Sequence, residues 1–126
     1  FHQYIDADFS GRSAECSGAS AAVEDVRSVT GWLRKNGKHG FLGEFAASKD
    51  PACLAAMKDL VAVVDGAPEQ WIGWTYWAGG AWWPADYIFT AQPDGNGDRP
   101  QVAALKPVLG HDSASSCTIP GKGPKP

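Results

Sequence analysis

The sequence predicts an α/β fold in which parallel strands alternate with helices, and three observations carry that prediction. Short apolar segments closed by glycine alternate with stretches whose apolar residues recur at helical spacing, in the order strand, helix, strand, helix, strand, helix. The composition, 44% hydrophobic and 20% charged over 126 residues, suits one domain with a buried core and is too apolar for a disordered chain. Three βα units leave a parallel sheet with two open edges, which points to part of a larger sheet or barrel. In a (β/α)8 barrel of ~250 residues each unit takes about 31, so three units fit with room for long loops and a tail.

Residues 1–6, Phe-His-Gln-Tyr-Ile-Asp, read as a first strand, closed by the loop Asp6-Ala-Asp-Phe-Ser-Gly-Arg-Ser. A helix is predicted over 21–36, where Val23, Val26, Val29, Trp32 and Leu33 share a face. Ser20 is its expected N-cap, Glu24 and Asp25 suit its positive end, and Arg34, Lys35 and Gly37 suit its stop. Residues 40–46, Gly-Phe-Leu-Gly-Glu-Phe-Ala, follow as a buried strand. Asp50 and Pro51 make a cap and first-turn pair for a helix striped by Leu54, Met57, Leu60, Val61 and Val64 and ended by Gly66. Residues 71–78, Trp-Ile-Gly-Trp-Thr-Tyr-Trp-Ala, form the third strand, with Trp71 and Trp74 expected in the core. After a loop rich in glycine and tryptophan come residues 86–90, a turn at 94–98 and a short last helix near 99–109. Residues 113–126, composed largely of Ser, Gly, Pro and Lys, read as a flexible tail or linker beyond a domain of residues 1–112.

Charge narrows the function classes. Eleven Lys and Arg against 14 Asp and Glu give a net charge of −3, so neither nucleic acid nor an anionic membrane is the expected partner. No apolar run approaches the ~20 residues of a membrane span; the longest aliphatic one covers 60–64. Cys16, Cys53 and Cys117 form no Cys-x-x-Cys pair, which disfavours zinc and thioredoxin-like sites and leaves at most one internal disulfide. His2, His39 and His111 are too scattered for a metal site, and no cofactor is expected. Asp94-Gly-Asn-Gly-Asp starts like a calcium loop, but Arg99 stands where glycine belongs and Leu105 where a bidentate Glu belongs, so it reads as a turn. Phe1 leads straight into an apolar run, and the expectation is that the sequence begins inside a longer one, with any signal peptide outside it.

Few residues are candidates for chemistry. Glu44 stands at the C-terminal end of the second strand, between Gly43 and Phe45, in an otherwise apolar segment. Burying a carboxylate there is costly unless it is hydrogen-bonded or faces a cleft, and the C-terminal strand ends of parallel α/β folds carry active sites. Two readings stand side by side: a cleft carboxylate, and a side chain that has left the strand for water. His2 and Tyr4 share a face of the first strand by its period of two, for which core packing is the ordinary explanation. Gly73, Thr75 and Trp77 share a face of the third strand.

Taken together, the three strand segments resemble glycoside hydrolase family 5 cellulases of the fungal endoglucanase type. Residues 1–16, Phe-His-Gln-Tyr-Ile-Asp-Ala-Asp-Phe-Ser-Gly-Arg-Ser-Ala-Glu-Cys, are similar to the sixth strand and following loop of that family. Residues 40–45, Gly-Phe-Leu-Gly-Glu-Phe, are similar to its seventh strand, and the Trp-rich stretch 71–89 to its eighth. The resemblance covers about residues 1–110 and implies strands 6–8 of a (β/α)8 TIM barrel, a partial barrel. It implies a retaining endo-β-1,4-glucanase that hydrolyses β-1,4-glucan by double displacement, with Glu44 as the nucleophile. Tyr4 would hydrogen-bond that carboxylate, and His2 would order the polar network around the cleaved sugar. Trp77 would stack under the sugar, with Trp82 and Trp83 lining the cleft further out.

A retaining glycosidase needs a second carboxyl group ~5 Å from the first. In the family this is a Glu after Asn at the end of the fourth strand, and none of Glu15, Glu24 and Glu69 follows Asn. The resemblance therefore implies that the acid/base is missing from this chain. It also implies a Cys16–Cys53 disulfide, a free Cys117 (Lys58 stands where its partner would be) and a secreted, extracellular protein. The partner would be a β-1,4-glucan polysaccharide or oligosaccharide, with a missing N-terminal barrel segment or a second copy completing the barrel. For two copies, residues 86–90 would supply an extra strand from each. The rival readings are a non-catalytic β-glucan-binding protein and an inactive fragment whose open edges favour aggregation.

Overall fold

A computed structural model describes residues 1–109; the expected tail, Cys117 and His111 lie outside the described residues. Helix α1 (Ala19–Asn36), strand β1 (Gly40–Leu42), helix α2 (Pro51–Asp65), strand β2 (Trp71–Trp74) and helix α3 (Pro100–Leu105) follow in that order. β1 and β2 pair in parallel, Phe41 opposite Gly73 and Leu42 opposite Trp74, with α2 connecting them. At the end of β1 a parallel bridge joins His2 to Glu44. There the Gly43 N–H donates to the Phe1 carbonyl and the Gln3 N–H to the Glu44 carbonyl, both at 2.9 Å. The expected alternation of helix and parallel strand is present, with strands shorter than their apolar runs. The first strand contracts to that one bridge because the chain turns into a loop at Asp6. Beyond β1 and β2 the two segments stay in register through Thr75 N–H to the Leu42 carbonyl and Trp77 N–H to the Phe45 carbonyl, 2.9 Å each.

The core lies between the helices and one face of this sheet. Val26, Leu42, Phe45, Met57, Leu60, Val61 and Val64 are at most 2% exposed, and they cluster with Ile5, Leu33 and Trp71. The stripe on α2 faces inward much as its spacing predicts, with Leu54 half-buried. On α1 the buried face is Ala22, Val26, Thr30 and Leu33, rotated from the predicted stripe, so Trp32 is exposed. A polar residue sets that rotation. The buried Thr30 hydroxyl donates to the Val26 carbonyl (2.7 Å) and accepts from the Trp71 indole N–H (2.9 Å), tying α1 to β2. Apolar spacing alone cannot place a threonine inside. Trp71 is buried as expected, whereas Trp74 is half-buried, its indole N–H donating to Asp65 at 2.9 Å.

The caps differ in the same instructive way. Asp50 accepts from the Ala52 N–H at 2.8 Å and the Cys53 N–H at 3.4 Å, with Pro51 in the first turn, as the sequence predicts. Ser20 is not the cap of α1: the helix starts at Ala19 after Gly18, without a side-chain cap. Gly18 is needed there by crowding, since a Cβ would stand 2.3 Å from the Asp6 carbonyl oxygen. Gly37 adopts φ 58° and ends the helix. Residues 86–90 form turns, with Tyr87 N–H on the Pro84 carbonyl and Thr90 N–H on the Tyr87 carbonyl, so they supply no extra strand. Residues 94–98 make a turn closed by an Asp94–Gly97 bridge, with Arg99 3.3 Å from Asp94. The last helix tightens to 3-10 geometry over Lys106–Val108, where Pro107 has no N–H to continue an α-helical ladder.

Cys16 and Cys53 are bridged across 37 positions, fastening the loop after the first segment to the start of α2. Two stability measurements check these local accounts. Asp50→Ala is expected to cost about 1 kcal/mol through the lost cap. Reducing the disulfide is expected to cost roughly 4 kcal/mol from the loop entropy regained on unfolding. The first is read as a lower urea midpoint at unchanged slope, the second as a lower midpoint with a steeper slope, since the reduced chain exposes more surface on unfolding.

Candidate active site

Glu44 follows β1 by two residues, and three backbone constraints hold it. Its carbonyl accepts from Gln3, the preceding Gly43 N–H donates to Phe1, and the Gly43 carbonyl accepts a 2.6 Å bond from the Thr75 hydroxyl. The carboxylate is then bonded from the first segment. Tyr4 donates to Oε2 at 2.6 Å, and His2 Nδ1 lies 3.2 Å from the same oxygen. Oε1 has no hydrogen-bond partner among the described residues. The Glu44 side chain is 24% exposed, between core and bulk water. His2 is exposed and Tyr4 half-buried, so the shared face of these two residues is not core packing but a rim opening onto Glu44. Gly43 makes room for the imidazole, since a Cβ there would stand 2.9 Å from His2 Nε2.

Burial, with the hydrogen bond and the charge of Glu44, pushes the Tyr4 phenol far above its ordinary pKa, so it is a permanent donor near neutrality. A row of rings continues from it. Tyr4 stacks with Phe89 (centroids 6.4 Å), Phe89 meets Tyr87 edge-on (5.7 Å), Tyr87 stacks on Trp83 (4.4 Å), and Trp83 meets Trp77 edge-on (5.4 Å). The Trp77 indole N–H donates to the Tyr87 hydroxyl at 3.1 Å. Trp82 takes no part in this row and is 89% exposed. Sequence reasoning singled out Trp77 and Trp83 but missed Tyr87 and Phe89. Their alternation within 86–90 was the available signal, disguised because turns bring them to the row.

Asp6, also missed, is buried, and among the described residues no cation pairs with it. Its carboxylate accepts from the Ser10 hydroxyl and from the Gly11, Arg12 and Ser13 N–H groups at 3.0–3.2 Å. Burial pushes its pKa up, but those four donors together outweigh burial and leave it below the ordinary carboxylate value. Glu15 is spent on structure, accepting from the Ala7 and Ser17 N–H groups at 2.7 and 2.6 Å, and Glu24 pairs with Arg27 on α1. Among the described residues no group of three or more His, Cys, Asp and Glu side chains is placed to hold a metal ion. A cavity of about 1000 Å³ shares Tyr87 with the ring row, and its lining includes both disulfide cysteines, Lys49, Asp86 and Arg99 but not Glu44.

Residues 1–82 match the family model Cellulase (glycosyl hydrolase family 5). The chain belongs to glycosyl hydrolase family 5. It is 41% identical over 92 residues to endo-beta-1,4-glucanase A of Emericella nidulans, covering 73% of this chain and 28% of that protein. It is 40% identical over 92 residues to endoglucanase 3 of Humicola insolens, covering 73% of this chain and 24% of that one. Among solved structures it superposes at TM-score 0.78 on XacCel5A in complex with cellopentaose, with 44% identity over 84% of this chain and 34% of that one. The endo-beta-1,4-glucanase Xac0029 of Xanthomonas axonopodis pv. citri gives the same TM-score and coverage at 45% identity. The chain thus spans about a quarter to a third of the length of these relatives. Family 5 neighbours imply a (β/α)8 barrel, of which this chain covers a fragment.

Asp6 links this site to acid stability. Its folded pKa lies below the unfolded value, so its contribution is full above the ordinary carboxylate pKa, ~3.9, and is lost as pH falls through the lower folded value. Unfolding free energy is expected to decline on acidification below about pH 4, and Asp6→Asn to flatten that decline while lowering stability at neutral pH. Denaturant titrations of both proteins across that window check it.

Proposed function

We propose that this chain is strands 6–8 of a (β/α)8 barrel, a partial barrel within residues 1–112, and that Glu44 is the nucleophile of a secreted, retaining endo-β-1,4-glucanase. One observation carries the reading: Tyr4 and His2 converge on Oε2 of Glu44 at 2.6 and 3.2 Å, which leaves Oε1 for attack. The substrate class follows the relatives, which are endo-β-1,4-glucanases, one of them solved with cellopentaose. In the first step Oε1 attacks the anomeric carbon and the C–O bond to the leaving glucan breaks, the leaving oxygen taking a proton from a general acid. In the second step water, deprotonated by the same group, attacks the glycosyl ester and releases Glu44. Tyr4 keeps the carboxylate aimed, and His2 orders the polar network around the sugar. Trp77 stacks against the apolar face of the sugar and Trp83 extends that platform, with Trp82 further out. None of Glu15, Glu24 and Glu69 follows Asn as the family's acid/base does, so that role is assigned to the barrel segment outside this sequence.

A test can bypass the missing acid. A 2-deoxy-2-fluoro cellobioside with a dinitrophenolate leaving group needs no protonation to depart, and its glycosyl ester is slow to hydrolyse. Incubated with this chain, it is expected to add one fluoroglycosyl mass on Glu44, and Glu44→Gln is expected to remain unlabelled while retaining affinity for soluble β-glucan. Label persisting in Glu44→Gln, or mapped to another carboxylate, overturns the nucleophile assignment. Glucan affinity with no label on either protein leaves the chain a β-glucan-binding module.

A further inference from the structure

Tyr4 is held in turn by a loop that the reaction scheme above does not use. Gly11, at φ 68°, packs so tightly on the phenol ring that a Cβ there would stand 2.6 Å from Cδ1 and Cε1 of Tyr4. Gly11 is itself pinned, because its N–H donates to Oδ1 of Asp6 at 3.1 Å. The next two N–H groups, of Arg12 and Ser13, donate to Oδ2 at 3.0 and 3.2 Å, and the Ser10 hydroxyl donates to Oδ2 at 3.2 Å. Asp6 is 2% exposed, and every partner of its carboxylate belongs to this one loop. A carboxylate buried without a cation is costly unless bonds to its charge compensate, so this loop has one low-energy shape. Phe89, 3% exposed, stacks with the same tyrosine ring. Aliphatic packing would serve to bury the loop; four donors on one anion serve to fix where Gly11 stands.

We propose that Asp6 and Gly11 are positioning residues for Glu44, acting through the ring of Tyr4. Asp6 draws the loop around its charge, Gly11 presses flat against the phenol, and the hydroxyl is thereby aimed at Oε2. The importance of this for catalysis rests on reading Glu44 as the nucleophile; the mechanical coupling does not. The disulfide closes the same loop at Cys16, so its far end is fixed as well.

The decisive readout is ionisation of Tyr4, followed by near-ultraviolet tyrosinate absorbance with the Tyr4→Phe protein as background. Burial, the hydrogen bond and charge of Glu44, and the smaller contributions of Tyr87 and the Asp6 charge hold the phenol un-ionised in the native chain. In folded Gly11→Ala, which leaves every charge near Tyr4 in place, the Tyr4 midpoint is expected to move down toward that of an ordinary phenol, ~10; Asp6→Asn, which also removes a charge that raises the phenol's pKa, is expected to move it at least as far. Labelling of Glu44 by the fluorinated glycoside is expected to slow by on the order of tenfold or more. A folded Gly11→Ala or Asp6→Asn protein in which Tyr4 titrates as in the native chain overturns the proposal. Should both variants unfold, a nuclear Overhauser contact between the Gly11 Hα and Tyr4 ring protons in the native chain supports it, and the absence of that contact overturns it. If the native chain is never labelled yet Tyr4 responds to both variants, the nucleophile assignment falls and the positioning stands.

Discussion

The candidate site is arranged around a backbone that is bonded from both sides at Gly43 and Glu44. Phe1 and Gln3 hold it on one side and Thr75 on the other, with bonds between 2.6 and 2.9 Å. A carboxylate side chain is flexible, and a peptide bonded on both flanks is not. Fixing the main chain first leaves only the side-chain torsions of Glu44 to be settled, and Tyr4 with His2 settle them. The helices matter to the site at one remove: α2 and α1 bury Leu42 and Phe45, the residues on either side of the Gly43–Glu44 pair, so that pair cannot drift.

Much of this could be read in advance, and the reasons for the rest are physical. The α2 stripe, the Asp50-Pro51 start and the Gly66 stop follow from local chemistry, which acts over a few residues and so appears in a few residues. Glu44 stood out because a carboxylate within an apolar run demands an explanation. The register of α1 did not follow, because it depends on a bond from Thr30 to Trp71, 41 positions away, and no period within the helix contains that information. Residues 86–90 misled for the opposite reason: a short apolar run, Tyr87-Ile88-Phe89, looks like a strand whether the backbone is extended or turned, and Pro84 favours turning.

The candidate site divides along the same line. His2, Tyr4 and Glu44 were visible as polar groups in apolar segments, and the family resemblance gave them roles. Asp6 and Gly11 were hidden in a loop whose composition only says turn. Their contribution is geometric, a crowded contact and four hydrogen bonds to one anion, and it exists only once the loop has closed. Tyr76 is a similar case: its hydroxyl contacts the carbonyls of Phe89 (2.9 Å) and Ala47 (3.2 Å), so it pins the ring row to the segment just past Glu44.

One feature of the sheet bears on how this polypeptide behaves at concentration. Leu42 and Trp71 point to the helices, and alternation turns Phe41 and Ile72 the other way, where they are 42% and 65% exposed. In the barrel proposed above, this oily face and the free N–H and C=O groups along the outer margin of β2 are where the strands outside this sequence would pack. For this polypeptide by itself the combination is sticky in two senses, through greasy contact and through main-chain templating, and stabilising the core would not remove it.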